Sequence, residues 1–160
     1  MARALIVGCG CRGRELGGEL AEAGWQVRGS SRRPEGLEAI EAAGIEPAAA
    51  DPDRPGTVLE LCGDVAVVVW LLGSADGEAA SPIHGPRLAS LLEKLVDSPV
   101  RGFAYEAAGT VDGEVLAEGT RIVERAGETW RIPVALLTAK REEPGWATST
   151  ATEIERLLAG

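Results

Sequence analysis

The eight residues Val65-Ala66-Val67-Val68-Val69-Trp70-Leu71-Leu72 contain no polar side chain. A strand with one face in water alternates apolar and polar residues, so this unbroken run fits a strand buried on both faces of a parallel sheet. Parallel strands cannot be joined by tight hairpins and need crossovers, usually helical. The rest of the chain reads as a supply of them. Strands are expected at Ala4–Val7, Trp25–Gly29, Ile45–Ala50, Val65–Leu72, Val100–Tyr105 and Ile132–Leu137. Helices are expected at Glu15–Ala23, Glu35–Ala43, Thr57–Cys62, Leu88–Val96, Gly113–Arg125 and Thr148–Leu158. Pro34 opens the second helix, while Gly24 and Gly44 stop the first two. A polar loop, Gly73–Pro86, follows the central strand. Strict alternation predicts an α/β fold with a doubly wound parallel sheet of about six strands, in the order 3-2-1-4-5-6.

The strongest local motif lies at the start. Ala4-Leu5-Ile6-Val7 runs into Gly8-Cys9-Gly10-Cys11-Arg12-Gly13, a Gly-x-Gly-x-x-Gly turn that opens a helix. Such a turn aims backbone N–H groups and the positive end of a helix dipole at one spot, which suits a pyrophosphate. Gly8 is assigned to the tight turn, Gly10 to close backbone approach and Gly13 to helix–strand packing. The switch point between strands 1 and 4 places this turn beside Leu72-Gly73-Ser74 at the carboxyl edge of the sheet, where open α/β sheets bind ligands. With 160 residues, one domain spanning 1–160 is expected, without room for a separate substrate domain.

Acidic residues exceed basic ones, for a formal net charge of −9, which argues against a general nucleic-acid binder. The run Val65–Leu72 is far short of the roughly 20 residues of a membrane-spanning helix. The N-terminus reads directly into a strand without the regions of a secretory signal, so a cytoplasmic location is expected. Three cysteines, Cys9, Cys11 and Cys62, form an odd count that does not suggest a disulfide framework. With His84 as the single histidine, no metal site is expected. The two thiols in the turn read as small residues in a crowded place, Cys11 being the one expected to be oxidisable at a helix N-terminus.

An NAD site places an acidic side chain about 20 residues past the turn, on the ribose 2′-hydroxyl. This chain instead has Arg28-Gly29-Ser30-Ser31-Arg32-Arg33 there. Hydroxyls and guanidinium groups match a 2′-phosphate through charge-assisted bonds, so NADP is expected over NAD, with Ser30, Ser31, Arg32 and Arg33 as its contacts. Arg12, inside the turn, is a further phosphate candidate. Asp51 either accepts a bond from the adenine amine or begins the following helix.

The order of these residues resembles the short-chain dehydrogenase/reductase superfamily, in particular its extended and atypical NAD(P)-binding members related to sugar-nucleotide epimerases and dehydratases. The resemblance rests on Ser30-Ser31-Arg32-Arg33-Pro34-Glu35 as the ribose-phosphate loop, Ala50-Asp51 as the adenine-side end of strand 3, and Val69-Trp70-Leu71-Leu72-Gly73 as the strand beneath the nicotinamide ribose. It implies a Rossmann fold and, through the helices Leu88–Val96 and Gly113–Arg125, a homodimer. It also implies a catalytic Ser/Thr after strand 5 and a Tyr-x-x-x-Lys pair on the next helix. The chain departs there. Glu106-Ala107-Ala108-Gly109 follows the strand, Thr110 is the nearest hydroxyl, and Glu114–Arg121 holds neither tyrosine nor lysine.

Two functions stay open on the sequence. One is a non-catalytic NADP(H)-binding module acting as a redox sensor, regulator or assembly partner. The other is an NADPH-dependent oxidoreductase or epimerase-like enzyme in which Tyr105, Glu106 or Thr110 handles protons. A scaffold without nucleotide affinity is a third reading. Tyr105 is expected to be an ordinary end-of-strand aromatic, His84 surface punctuation, and Glu106 a carboxylate without an obvious partner.

Overall fold

The computed structural model describes residues 2–78 and 80–159, so Met1 and Gly160, the ends of the expected domain, and Ala79, inside the expected loop, lie outside the described residues. Six strands, β1 (Arg3–Val7), β2 (Gln26–Ser31), β3 (Glu46–Ala49), β4 (Val67–Trp70), β5 (Gly102–Glu106) and β6 (Val134–Leu137), form one sheet in the order β3-β2-β1-β4-β5-β6. All five pairings are parallel. This is the expected order, and the run around Val67–Trp70 lies at its centre with all four residues buried.

Among the described residues, six helices lie between the strands, α1 (Cys11–Glu22), α2 (Pro34–Ala42), α3 (Pro55–Leu59), α4 (Ala80–Ile83), α5 (Pro86–Leu95) and α6 (Gly113–Trp130), and α7 (Trp146–Ala159) follows β6. Successive strand residues point to opposite faces, and each face builds its own core. Leu5, Val7, Val68, Trp70, Phe103 and Tyr105 pack on Val58 of α3, Leu88, Leu91 and Leu92 of α5 and Val123 of α6. Ala4, Ile6, Val67, Val69 and Ala104 pack on Leu16 and Leu20 of α1, Ile40 of α2 and Trp146, Ala151 and Ile154 of α7. Each fully buried large apolar side chain contributes about 1.5–3 kcal/mol. The central strand is apolar throughout because both of its faces lie inside these cores.

The boundaries differ from expectation where tertiary pairing overrides local pattern. β2 runs on through Ser30 and Ser31 because they pair with Ala48 and Ala49 of β3, which carries both serines to the carboxyl edge. α1 begins at Cys11, directly on the glycine turn, rather than at Glu15. α6 continues past Arg125 to Trp130 and ends at Arg131 with φ 56°. The loop after β4 contains the short α4. Among the described residues, no helix is long and apolar enough to cross a membrane.

Candidate functional site

The turn after β1 is shaped by contact with the end of β4. Gly8 has φ +84°, and a Cβ there would lie 2.6 Å from Leu72 Cδ2 and 2.7 Å from the Leu71 carbonyl oxygen. Any side chain would separate the two strands at the switch point. Cys9 N–H then donates to the Ser30 carbonyl at 3.1 Å and Gly10 N–H to the Gly8 carbonyl at 2.9 Å. Arg14 N–H makes the first bond of α1, to Gly10 O at 2.8 Å. The N–H groups of Cys11, Arg12 and Gly13 precede it at the open end of the helix. No side chain caps Gly10, and the first turn holds no acid. A Cβ on Gly10 would meet nothing within 4 Å, whereas one on Gly13 would lie 3.3 Å from Cys9 Sγ. The helix therefore packs on the turn at Gly13 and leaves open space at Gly10. Cys9 plugs the gap over Gly29, where a Cβ would lie 2.7 Å from its Sγ. Burial pushes its thiol up to about 11.

A cleft of about 290 Å³ opens at this point, lined by Gly8, Cys9 and Gly10 of the turn, Ser30 to Arg33 at the end of β2, and Ala50, Pro52 and Leu72 beyond. Ser30 is 2% exposed, and its hydroxyl makes no hydrogen bond among the described residues. Ser31 Oγ accepts from Arg33 N–H at 3.2 Å and sits in the space left by the missing side chain of Gly36. Arg14 also lines the cleft. Among the described residues, Arg14, Arg32 and Arg33 form no ion pair.

Arg14 lies outside the glycine motif, but one helical turn from Gly10 carries its side chain back over the same face. Arg12, the phosphate candidate inside the turn, pairs with Glu15 at 2.9 Å. Arg28 also leaves the expected basic cluster. It donates to Glu46 at 2.7 Å, Asp64 at 2.8 Å and the Leu61 carbonyl at 2.8 Å, where it ties β2 to β3 and to the segment before β4. Cys11 is exposed, and none of Cys11, Arg12 and Gly13 lines the cleft, which the turn meets at Gly8, Cys9 and Gly10. Asp51 Oδ1 accepts from Asp53 N–H at 2.9 Å, within the turn that leads to α3.

At the ends of β4, β5 and β6 the polar groups face one another. Glu106, 1% exposed, accepts from Gly73 N–H at 2.7 Å. Arg141 grips it with two bonds, Nε to Oε2 at 2.8 Å and Nη2 to Oε1 at 2.7 Å. The same Nη2 reaches the Leu71 carbonyl at 3.1 Å. Glu106 thus has a partner that the sequence did not reveal, 35 residues away. Gly73 lies against Ala108 and Gly109, without room for a side chain, and its carbonyl accepts from Val111 N–H at 2.9 Å.

His84 corrects a second expectation, because it is fully buried and not a surface residue. Its Nε2 lies 2.8 Å from the Leu72 carbonyl oxygen and its Nδ1 2.6 Å from the Tyr105 hydroxyl. A carbonyl only accepts, so Nε2 carries the proton and the tyrosine donates to Nδ1. Burial lowers the pKa of His84 and raises that of Tyr105, with Glu106 adding to the latter. The tyrosine hydroxyl fits because Gly119 of α6 has no side chain to displace it. Thr110 is exposed on the segment leading to α6.

No protein-family model matches the chain, and no curated protein matches it. Solved structures do. The triphenylmethane reductase of Citrobacter sp., complexed with NADP(H), aligns over 84% of this chain and 48% of its own at 18% identity, with a TM-score of 0.64. The dTDP-glucose 4,6-dehydratase of Bacillus anthracis, in complex with NAD, aligns over 85% and 53% at 12% identity, TM-score 0.69. The NADPH-dependent quinone oxidoreductase of Escherichia coli, complexed with NADPH, aligns over 84% and 47% at 20% identity, TM-score 0.64. This chain spans about half the length of these proteins. What they share with it is the fold, a doubly wound Rossmann-type α/β sheet.

Proposed function

We propose that the cleft at the β1–α1 turn binds a nicotinamide adenine dinucleotide, NADP(H) in preference to NAD(H), in a protein that does not itself catalyse the reductase reaction. The observation that carries this is the trio Arg14, Arg32 and Arg33, without ion-pair partners among the described residues, on a cleft that also holds Gly10, the N-cap of α1. In a chain of net charge −9, such grouping calls for an anion. The residues fit the ligand in kind. Open space at Gly10 and the N–H groups of Cys11 to Gly13 suit the pyrophosphate. The Ser30 hydroxyl, Arg32 and Arg33 suit a ribose 2′-phosphate. Structural neighbours in complex with NADP(H), NADPH or NAD support a nicotinamide dinucleotide as the ligand.

When bound, the nicotinamide ring supplies hydride exchange. The chain offers little beside it to move a proton. Glu106 is held by Arg141 and Gly73, and the Tyr105 hydroxyl is buried against His84. The enzyme alternative, an NADPH-dependent oxidoreductase or sugar-nucleotide epimerase-like protein, rests on the exposed hydroxyl of Thr110. The reading includes a homodimer through α5 and α6, where Leu92, Ile122 and Ala126 line an apolar groove beside the exposed Trp130. Sedimentation equilibrium tests it, and a monomer at every concentration removes it. Fluorescence titration with NADPH and NADH tests the binding claim, and failure of both ends it. Sustained NADPH oxidation with any member of a carbonyl panel rejects the non-catalytic claim.

A further inference from the structure

Hydrogen-bonding capacity is distributed unevenly across the switch point. On the β1–β2 side it is unengaged: the N–H groups of Cys11, Arg12 and Gly13 precede the first bond of α1. The nearly buried Ser30 hydroxyl lines the cleft, as do three arginines without ion-pair partners among the described residues. On the β4–β5–β6 side the groups at the very ends of the strands are engaged with one another. Gly73 N–H is held by Glu106 and Gly73 O by Val111 N–H. Leu71 O accepts from Arg141 and Leu72 O from His84. Ala107 N–H donates to Leu137 O, and both Glu106 oxygens are taken by Arg141. The hydroxyls of Ser74 and Thr110 stand outside the residues that line the cleft, whose wall on this side is Leu72.

We infer that this protein recognises only the 2′-phosphoadenosine diphosphate half of its ligand and does not read the nicotinamide. The inference rests on the proposal that the cleft takes a 2′-phosphorylated dinucleotide. A site discriminates strongly only where it leaves polar groups that the right ligand alone satisfies. Here such groups surround the adenosine phosphates. Next to them, the N–H and carbonyl of Gly73 and the carboxylate of Glu106 are already bonded, and Gly73 and Gly109 pack too closely to admit a side chain. The nicotinamide ring projects into solvent, so oxidised, reduced and nicotinamide-free ligands bind alike. A protein built this way responds to the total amount of phosphorylated dinucleotide and is blind to its redox ratio, which removes the redox-sensor function from the possibilities.

Calorimetric titration of the full chain with NADP+, NADPH and 2′-phospho-ADP-ribose tests this. The expected result is three dissociation constants within about twofold of one another. Binding of NADP+ or NADPH more than about tenfold tighter than 2′-phospho-ADP-ribose overturns the inference and leaves the cleft assignment standing. Binding by none of the three overturns both. Saturation-transfer NMR on bound NADP+ gives an independent readout. Adenine protons are expected to receive saturation and nicotinamide protons to stay near background. Equal transfer to the two rings contradicts the inference.

Discussion

Replacing Arg141 with methionine should destabilise the fold without touching the cleft. The side chain that remains still covers the apolar surface beneath the guanidinium. Three bonds disappear: two to Glu106, at 2.8 and 2.7 Å, and one to the Leu71 carbonyl at 3.1 Å. Glu106, 1% exposed, is left with a buried carboxylate and a single donor, Gly73 N–H. Breaking a buried ion pair from one side costs about 3–5 kcal/mol. Arg141 retains 22% exposure, and water enters its place, so the lower end, about 3 kcal/mol, is expected. At this chain length that lowers the thermal midpoint by about 6–12 °C. Glu106→Gln should cost less, about 1–2 kcal/mol, because an amide oxygen still accepts from Gly73 and the arginine reaches solvent. The double variant should be more stable than the sum of the two losses, since no charge is then left unpaired. Urea melts of the four proteins measure this, with NADPH affinity followed in parallel. Single variants within about 0.5 kcal/mol of the parent, or strictly additive losses, refute the structural role given to the pair. Loss of NADPH binding in stably folded Glu106→Gln would refute its separation from the cleft.

Further predictions concern single groups. Arg14→Ala should weaken NADPH binding by about tenfold or more, the value of one charge-assisted bond. Arg12→Ala, whose side chain faces Glu15, should leave affinity within about twofold by calorimetry. His84 has a folded pKa below its ordinary 6.5, because burial disfavours the charged ring. Between the two values the unfolded chain binds more protons, so stability is complete above pH 6.5 and declines as pH falls through that range. Urea midpoints against pH should show this decline, and His84→Gln should remove its share of the slope. Thiol titration at pH 8 should find Cys11 fast. Cys9 and Cys62, buried and pushed up to about 11 and about 12, should react only on unfolding.

The sheet order was legible because it follows from the alternation of elements and the apolar run Val65–Leu72, signals local to the chain. The same holds for the glycine turn, where each glycine's role follows from strand, turn and helix in succession. What the sequence hid are pairings across distance. Arg141 and Glu106 are 35 positions apart, and nothing local marks one as the other's partner. His84 reads as a loop residue because its neighbours are glycine and proline, yet the loop folds it beneath the end of β4 onto Tyr105. Arginines looked equivalent in the chain. Only the register of β2 against β3 and the start of α1 separate Arg14, Arg32 and Arg33 at the cleft from Arg12 and Arg28, which are held by carboxylates.

Arg32 and Arg33 at the end of β2, without ion-pair partners among the described residues, are what would make the cleft a site for a 2′-phosphorylated dinucleotide. The most direct test is the ratio of NADH to NADPH dissociation constants, for the parent chain and for the Arg32→Ala, Arg33→Ala double variant. The expected parent ratio is at least about 10, as one charge-assisted phosphate contact supplies, and the variant ratio is expected near 1 because NADPH affinity alone has fallen. A parent ratio near 1, or a preference that survives the loss of both arginines, contradicts the 2′-phosphate assignment.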